Sequence, residues 1–336
     1  MKQTLQYLIE GNHLSQEEAR IAMDRIMTGN ATDAQIGAFL VAMRLKGEQA
    51  GEIAGFAASM RSNADPVPNP FANTIDLVGT GGDGLHTFNI STVASLVVAG
   101  AGVPVAKHGN RSVSSKCGSA DVLMELGVNI NLDGKAAGAC LAEVGYAFLF
   151  APRLHPAMKY AIGPRREIGV RSVFNILGPI CNPAGVRHQL IGVYDLTLAR
   201  LLAEVLNRLG AERVLMVHSG EGMDEISIAG ETHIVELNGG QISEYRLSPA
   251  DFGLQASSES IVGGDAATNA AMARAVLGGA SGAARDIVLA NAGAALMTAG
   301  AVPDLRSGVT LAAESIDSGK ALKILEELIR YASQYS

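Results

Sequence analysis

Aromatic residues are scarce in this chain of 336 residues: they account for 4% of it, and tryptophan is absent. A chain of this length buries a substantial core, which must therefore consist mainly of Ala, Val, Ile and Leu. The 39 glycines permit helices to pack closely on a sheet. This composition is typical of an α/β protein.

Cysteine is also rare, with three residues at positions 117, 140 and 181. Their odd number and the absence of a Cys-x-x-Cys spacing argue against a disulfide framework and against a zinc site, so a reduced setting is expected. No apolar run reaches the ~18–20 residues of a membrane span, and the first residues do not resemble a secretion signal. We therefore expect a cytoplasmic protein with no membrane partner.

The chain carries a net charge of −7 at pH 7. An acidic protein repels polyanions, which disfavours nucleic acid or an anionic membrane as the main partner. Any site for an anion must then be a local basic pocket within an acidic surface.

Short helices fill the beginning of the chain. Ser15-x-x-Glu18 and Thr32-x-x-Gln35 are capping-box patterns that open two of them. Four helices of this length have too little core of their own. They must pack on the rest of the chain or on a second subunit.

Strand-like segments alternate with helices from Thr74 onward, after a proline-rich stretch at 65–70. This alternation favours a mostly parallel central sheet covered by helices. We predict an α/β fold with a small all-helical domain, residues 1–66, and a larger α/β domain, residues 71–336. The candidate strands are Ile75–Val78, Val103–Ala106, Ala147–Phe150, Leu190–Val193 and Val214–His218, and a hairpin is expected around Asn238–Gly240.

Two of these strands end in loops suited to an anion. The first loop, Gly79–Gly84, is rich in glycine, and the second, Lys107–Ser119, carries Lys107, Arg111 and Lys116. Glycines let backbone N–H groups surround an anion, and the helix that follows each loop directs its positive end there. Because parallel strands end at the same edge of a sheet, the two loops predict a ligand with more than one phosphate.

The first loop also matches the dinucleotide-binding pattern G-x-G-x-x-G at Gly79, Gly81 and Gly84. That fingerprint requires a helix to begin at the glycines and an acidic residue roughly 20 positions later. Here residues 85–91 precede the next apolar run, and the next strand ends without Asp or Glu. The sequence therefore argues against NAD.

Two further segments carry polar residues. Asp224 and Glu225 follow a predicted strand, and adjacent carboxylates in such a place either hold Mg²⁺ together with substrate phosphates or form a solvated turn. Beside two phosphate loops, magnesium is the better interpretation. The segment 155–179 contains a His-Pro pair and a double arginine, which fit a functional role and a surface loop equally well.

Five motifs follow one another along the chain. They are Gly79–Asp83, Asn89–Thr92, Lys107–Arg111 with Ser114 and Ser115, Phe174–Pro179, and Asp224–Ser227. With them the sequence closely resembles the anthranilate phosphoribosyltransferases of tryptophan biosynthesis over essentially its whole length. The resemblance implies transfer of the phosphoribosyl group of phosphoribosyl pyrophosphate (PRPP) to the amine of anthranilate. It also implies a homodimer formed through the helical domain, which roughly residues 165–185 would rejoin in space.

The resemblance also implies the residues of the site. PRPP is expected at Gly79, Gly82, Asp83, Thr87, Asn89, Ile90, Ser91, Thr92, Lys107, His108, Gly109, Asn110, Arg111, Ser112, Val113, Ser114, Ser115 and Ser119. Anthranilate is expected at Gly79, Asn110 and Arg165, and Mg²⁺, with two ions per monomer, at Ser91, Asp224 and Glu225. His108 is a candidate to accept a proton late in the reaction, and a structural role is the alternative.

Two other functions are compatible with this architecture. A pyrimidine nucleoside phosphorylase would use inorganic phosphate and would not need Asp224 and Glu225. A non-catalytic relative that binds nucleic acid would have degraded loops and a basic surface, whereas the loops here are intact and the net charge is −7. The motifs therefore favour the transferase.

Overall fold

The N-terminal region is helical, as its capping boxes predict. The computed structural model describes residues 1–112, 116–259 and 261–335. Its first four helices are α1 Lys2–Ile9, α2 Gln16–Met27, α3 Asp33–Lys46 and α4 Ala50–Ser62. Ser15 and Glu18 form a reciprocal capping box at α2, and Thr32 and Gln35 form another at α3. These caps satisfy backbone N–H groups that the start of a helix leaves free.

A single sheet forms the centre of the larger part of the molecule. Its strands are β1 Ile75–Gly79, β2 Val105–Gly109, β3 Tyr146–Phe150, β4 His188–Gly192, β5 Arg213–Ser219, β6 Thr232–Asn238 and β7 Gln241–Leu247. Within the described residues they lie in the order β3-β2-β1-β4-β5-β6-β7. The first five strands are parallel, and β6 and β7 form an antiparallel hairpin. The prediction of a mostly parallel sheet is confirmed, as is the hairpin.

Helices cover both faces of the sheet. They are α5 Ile90–Gly100, α6 Ser119–Glu125, α7 Gly134–Val144, α8 Ala151–Leu154, α9 Lys159–Ile168, α10 Phe174–Leu177, α11 Leu196–Arg208, α12 Ala266–Leu277, α13 Ala283–Thr298, α14 Leu305–Asp317 and α15 Lys320–Ala332. The sequence predicts a terminal helix from Ile316 to Ala332; this helix is present but begins at Lys320, and Ile316 belongs to the preceding helix α14. The chain breaks at Gly319, whose φ of 75° starts a new helix direction. None of the described helices is long and apolar enough to cross a membrane.

The two faces of the sheet pack against different helices. Leu190 belongs to a core that includes α5, α13 and α15, whereas its neighbour Ile191 belongs to a core shared with α1 to α4 and α11. This follows from the strand itself, because successive side chains point to opposite faces. Residues Ala161 and Val173 to Cys181 also pack in the core of the first four helices. The chain therefore returns to the N-terminal helices between β3 and β4.

Helices α2 and α4 pack closely, and Gly55 makes this possible. A Cβ atom there would lie 2.2 Å from the backbone oxygen of Gln16 and 2.9 Å from the Cβ of Ala19. We expect Gly55→Ala to lower the free energy of unfolding by about 1–3 kcal/mol, because the backbone of α2 must move. Urea unfolding measures the change.

Gly51 in the same helix provides the matched control. A Cβ atom at Gly51 meets nothing within 4 Å, so Gly51→Ala is expected to stabilise the protein by roughly 0.5–1 kcal/mol through helix propensity alone. Equal effects of the two substitutions would contradict the packing argument.

Candidate active site

The first glycine loop lies at the carboxyl end of β1. Gly81 and Gly82 have φ values of 64° and 84°, a left-handed conformation that favours glycine. The N–H of Gly81 donates to Oδ2 of Asp224 at 2.9 Å. A Cβ atom at Gly79 would lie 2.5 Å from the same oxygen. The absence of side chains thus lets the loop contact a carboxylate that comes from the loop after β5.

Helix α5 begins at Ile90, and residues 85–89 separate it from the end of this loop at Gly84. The predicted residues Asn89, Ile90, Ser91 and Thr92 form its N-cap and first turn, where backbone N–H groups and the helix dipole favour an anion. Glu225 Oε1 accepts the N–H of Ser91 at 3.1 Å. The structure therefore brings the first glycine loop, the start of α5 and the acidic pair together, as the sequence predicts.

Asp224 and Glu225 share this region with a third carboxylate, Asp83. Burial and the nearby Asp83 raise the pKa of Asp224 to about 6. Burial and the neighbouring Asp224 raise the pKa of Glu225 to about 8. Oδ2 of Asp83 is buried and has no hydrogen-bond partner in the described part of the chain. A cation bound between such crowded carboxylates would stabilise their ionised forms by offsetting their mutual repulsion.

Magnesium fits this donor set. In residues 1–112, 116–259 and 261–335, no group of three or more His, Cys, Asp or Glu side chains could enclose a metal ion. Mg²⁺ does not require such a group, because it usually takes one or two carboxylates and completes its octahedron with water and substrate phosphates. A carboxylate pair beside phosphate loops has the chemistry for that arrangement.

Strand β2 directs Lys107 and His108 to opposite faces of the sheet. Lys107 is only 2% exposed. Its Nζ donates to the backbone oxygen of Leu77 and, at 3.3 Å, to Oγ of Ser91. Burial lowers the pKa of Lys107, and the carboxylates of Asp76, Glu225 and Asp224 oppose that shift. Lys107 thus places a buried amine beneath the start of α5.

His108 lies on the other face and faces a second histidine. The rings of His108 and His155 are 5.1 Å apart at their centroids. Nδ1 of His108 donates to the carbonyl oxygen of Gly178 at 3.0 Å, and Nε2 of both histidines is buried without a partner among the described residues. Burial lowers the pKa of His108 to about 3 and that of His155 to about 4. Both rings are therefore neutral near pH 7.

The second anion loop follows β2. Asn110 anchors it, because its backbone oxygen accepts the hydroxyl of Ser119 at 3.3 Å and its Oδ1 accepts the N–H of Arg111 at 2.7 Å. Asn89 donates to the backbone oxygen of Cys117 at 3.2 Å. The second loop therefore contacts the N-cap of α5. The predicted residues Val113, Ser114 and Ser115 lie outside the described residues.

Other predicted residues lie around these loops. Thr87 pairs as an isolated bridge with Val262, which attaches the end of the first loop to the segment before α12. Arg165 lies on α9, with Cζ 4.9 Å from the ring centroid of Phe174, and burial lowers its pKa. Arg166, the next residue, is exposed. The double arginine therefore presents one residue to the protein interior and one to solvent.

Three residues of this region were not predicted from the sequence. His155 received no role, although the His-Pro pair marked its segment. Arg171 stacks on Tyr194 at 4.5 Å and approaches the first glycine loop at Gly82. Asp76 is fully buried in β1 and accepts the N–H of His108 at 3.1 Å, and burial raises its pKa to about 7. A lone carboxylate inside an apolar strand was the available signal for Asp76.

Comparison with known proteins agrees with this geometry. The chain matches the family model of a glycosyl transferase helical bundle domain over residues 2–64 and that of a glycosyl transferase a/b domain over residues 72–322. It is 53% identical over 337 residues to the anthranilate phosphoribosyltransferase of Moorella thermoacetica, covering 100% of this chain and 99% of the relative. The corresponding protein of Pelotomaculum thermopropionicum is 51% identical, covering 100% and 98%. This chain belongs to the anthranilate phosphoribosyltransferase family.

Solved structures of the family have the same fold. The anthranilate phosphoribosyltransferase of Thermus thermophilus superposes with a TM-score of 0.92 at 41% identity, covering 98% of this chain and 99% of that one. The enzyme of Saccharomyces cerevisiae in complex with PRPP and Mg gives 0.89 at 27% identity, covering 99% of both chains. The predicted fold class and the predicted transferase activity are confirmed, and neither the nucleoside phosphorylase nor the nucleic-acid-binding alternative is supported.

The neutral histidine pair predicts a dependence of stability on pH. A histidine whose folded-state pKa is depressed contributes stability above its unfolded pKa and loses it as pH falls toward the folded value. His155 has an unfolded pKa of about 6.5 and a folded pKa of about 4. The contribution of His155 to the free energy of unfolding should therefore fall by about 1.4 kcal/mol between pH 7.5 and 5.5.

Urea unfolding of the parent and of His155→Gln at both pH values checks this expectation. The variant should lose less stability on acidification than the parent, because glutamine does not titrate. His233→Gln, on β6 and outside the pair, is the control. Parallel pH profiles of the parent and His155→Gln would contradict burial of a neutral imidazole.

Proposed function

We propose that this chain transfers the phosphoribosyl group of PRPP to the amine of anthranilate, with the residues described above as its active site. The products are N-(5-phosphoribosyl)anthranilate and pyrophosphate. The observation that carries the proposal is the meeting of two anion loops, the start of α5 and a buried acidic pair at one edge of the sheet. The neutral histidines on the other face of β2 provide the chemistry for the second substrate.

PRPP is proposed to bind at the first loop and the start of α5. Backbone N–H groups of the glycine loop and of the first helical turn favour phosphate oxygens. Lys107 adds a buried positive charge beneath them. The proposed residues are Gly79, Gly82, Asp83, Thr87, Asn89, Ile90, Ser91, Thr92, Lys107, His108, Gly109, Asn110, Arg111, Ser112 and Ser119, with Val113, Ser114 and Ser115 proposed from the sequence alone.

Asp224, Glu225 and Ser91 are proposed to hold Mg²⁺, with two ions per monomer. A bound magnesium ion would neutralise the charge that develops on the pyrophosphate as it leaves. The raised pKa values of the two carboxylates support this role, because a cation is what would return both groups to their ionised form. The related yeast enzyme with PRPP and Mg supports the same choice of metal.

Anthranilate is proposed to bind on the side of β2 that carries His108, in contact with Gly79, Asn110 and Arg165. Arginine pairs with a carboxylate through a planar, charge-assisted contact. The aryl amine is neutral near pH 7 and carries N–H donors, which match the unpartnered Nε2 atoms of His108 and His155. The site therefore mainly positions the amine for attack on the anomeric carbon.

Loss of anthranilate fluorescence in the presence of PRPP and Mg²⁺ tests the proposed activity. Consumption that requires both PRPP and the metal is the expected result. Release of a base from a pyrimidine nucleoside with inorganic phosphate, without anthranilate consumption, would instead establish a phosphorylase.

The acidic pair should determine the metal requirement. We expect the double variant Asp224→Asn, Glu225→Gln to keep the fold and to need a much higher Mg²⁺ concentration for half-maximal activity. Glu231→Gln removes an exposed carboxylate that pairs with Arg246 at the surface and should behave as the parent. Magnesium titrations of initial rate compare the three proteins, and an unchanged midpoint in the double variant would remove the metal role.

Arg165 should determine the affinity for anthranilate. Losing a hydrogen bond to a charged group costs about 1.5–3 kcal/mol, so Arg165→Ala should raise the KM for anthranilate roughly tenfold to hundredfold. The KM for PRPP should change much less, since the proposed contact is with the acceptor alone. The exposed neighbour Arg166, changed to Ala, is the matched control. A larger effect at Arg166 than at Arg165 would show that the assignment is out by one residue.

We further propose that the chain has two domains: a helical domain of residues 1–66, joined by roughly 165–185, and an α/β domain of residues 71–336. We propose a cytoplasmic homodimer that forms through the helical domain. Exposed apolar side chains on α1 and α3 support it: Ile9 is 70% and Leu45 is 83% exposed. Sedimentation should give about twice the chain mass at micromolar concentration, and Leu45→Glu should reduce it. A monomeric parent would refute this interface.

A further inference from the structure

The turn Gly178–Ile180, between α10 and β4, has an unusual set of hydrogen bonds. Its three consecutive carbonyl oxygens each accept from a side chain of a different element. Gly178 accepts from Nδ1 of His108 on β2 at 3.0 Å, and Pro179 accepts from Nε2 of Gln189 on β4 at 2.9 Å. Ile180 accepts from Nε and Nη2 of Arg61 on α4, at 3.0 and 2.7 Å.

The donors to this turn are costly to bury. Gln189 has no exposed surface, and its Oε1 has no partner among the described residues. Arg61 forms no ion pair with a carboxylate in the described part of the chain, and burial lowers its pKa. A half-buried charge without an ion pair and a buried amide with an unpaired oxygen are both unfavourable. A turn on the protein surface would satisfy the same carbonyl groups with water at no such cost.

The turn determines the protonation of His108. A carbonyl oxygen can only accept, so the bond to Gly178 requires the hydrogen of the neutral ring to be on Nδ1. Nε2 of His108 then carries a lone pair and no hydrogen. If the turn shifted, this bond would break and the opposite tautomer would become accessible. The tautomer of His108 therefore depends on the position of the turn, to which Gln189 and Arg61 are both hydrogen-bonded.

We propose that Arg61 and Gln189 are positioning residues for the acceptor amine. By fixing the turn Gly178–Ile180, they hold His108 in the tautomer whose Nε2 accepts an N–H of the aryl amine. The role in the reaction rests on the proposed function, whereas the dependence of the tautomer on the turn does not. Because Arg61 lies on α4, the N-terminal helices also take part in orienting the acceptor.

Nitrogen-15 NMR of the histidine rings in the full-length protein tests the first step. The chain has seven histidines, and the spectrum of His108→Gln identifies the signals of His108. The parent should show the Nδ1–H tautomer of His108. Arg61→Met and Gln189→Met, which remove the donors at similar side-chain length, should shift His108 toward a mixture of tautomers.

Kinetics test the second step. In the same two variants, kcat/KM for anthranilate should fall roughly threefold to tenfold, as for the loss of one hydrogen bond, while the KM for PRPP stays within about twofold of the parent. Arg61→Lys retains the charge and a donor, so it should restore much of the parental tautomer and rate. If Arg61→Met does not fold, Gln189→Met still decides the test.

Arg274→Met is the matched control, because Arg274 also donates to a backbone oxygen, that of Leu126 at 3.0 Å, but away from the turn. It should leave both measurements unchanged. An unaltered His108 tautomer in the Arg61 and Gln189 variants would overturn the proposal, as would an altered tautomer with parental kinetics for anthranilate. A parent protein that does not consume anthranilate would refute the proposed function, while the NMR result would still decide whether the turn sets the tautomer.

Discussion

The alternation of side chains along β2 is the constraint on which the site depends. Lys107 and His108 are neighbours in sequence, yet the strand sends one side chain toward α5 and the other toward Gly178. One face of the sheet therefore carries the cation and the acidic pair, and the other carries two neutral imidazoles. A one-residue shift of β2 would exchange the two environments. The parallel pairing of β2 with β3 over five residues prevents such a shift.

The charged groups of the site are held at a cost to stability. Lys107 and Glu225 are separated from water, and their pKa values are shifted toward the neutral forms by burial. A folded protein tolerates such groups where a ligand can compensate them. In the proposed site, phosphates would pair with Lys107 and a cation with Glu225. Binding of both proposed ligands would therefore relieve the electrostatic cost of burying these charges.

The segment between β3 and β4 connects this site with the N-terminal helices. Its hydrophobic residues pack in the core of α1 to α4, while Asn182 donates to Asp76 and to the backbone oxygen of Ala106, each at 2.8 Å. The segment is thus attached by apolar contacts at one side and by buried hydrogen bonds at the other.

Local chemistry was enough to predict much of this protein. Glycine spacing and an adjacent acidic pair predicted segments that the structure brings together at the start of α5, because such segments are contiguous motifs at strand ends. Capping boxes and apolar periodicity located most helices and strands for the same reason. The start of the terminal helix was predicted four residues too early because helical periodicity persists across Gly319, where a positive φ separates α14 from α15.

Only the tertiary structure could decide which distant residues meet. Arg61, His108 and Gln189 are separated by 47 or more positions, and no local pattern in any of them indicates a shared turn. Likewise, only the structure shows that the ring of His155 faces the ring of His108. Sequence determines the chemistry that each motif can perform, since that depends on residue type and spacing. The fold decides burial, tautomer and long-range pairing, because these depend on what other segments bring to the same point in space.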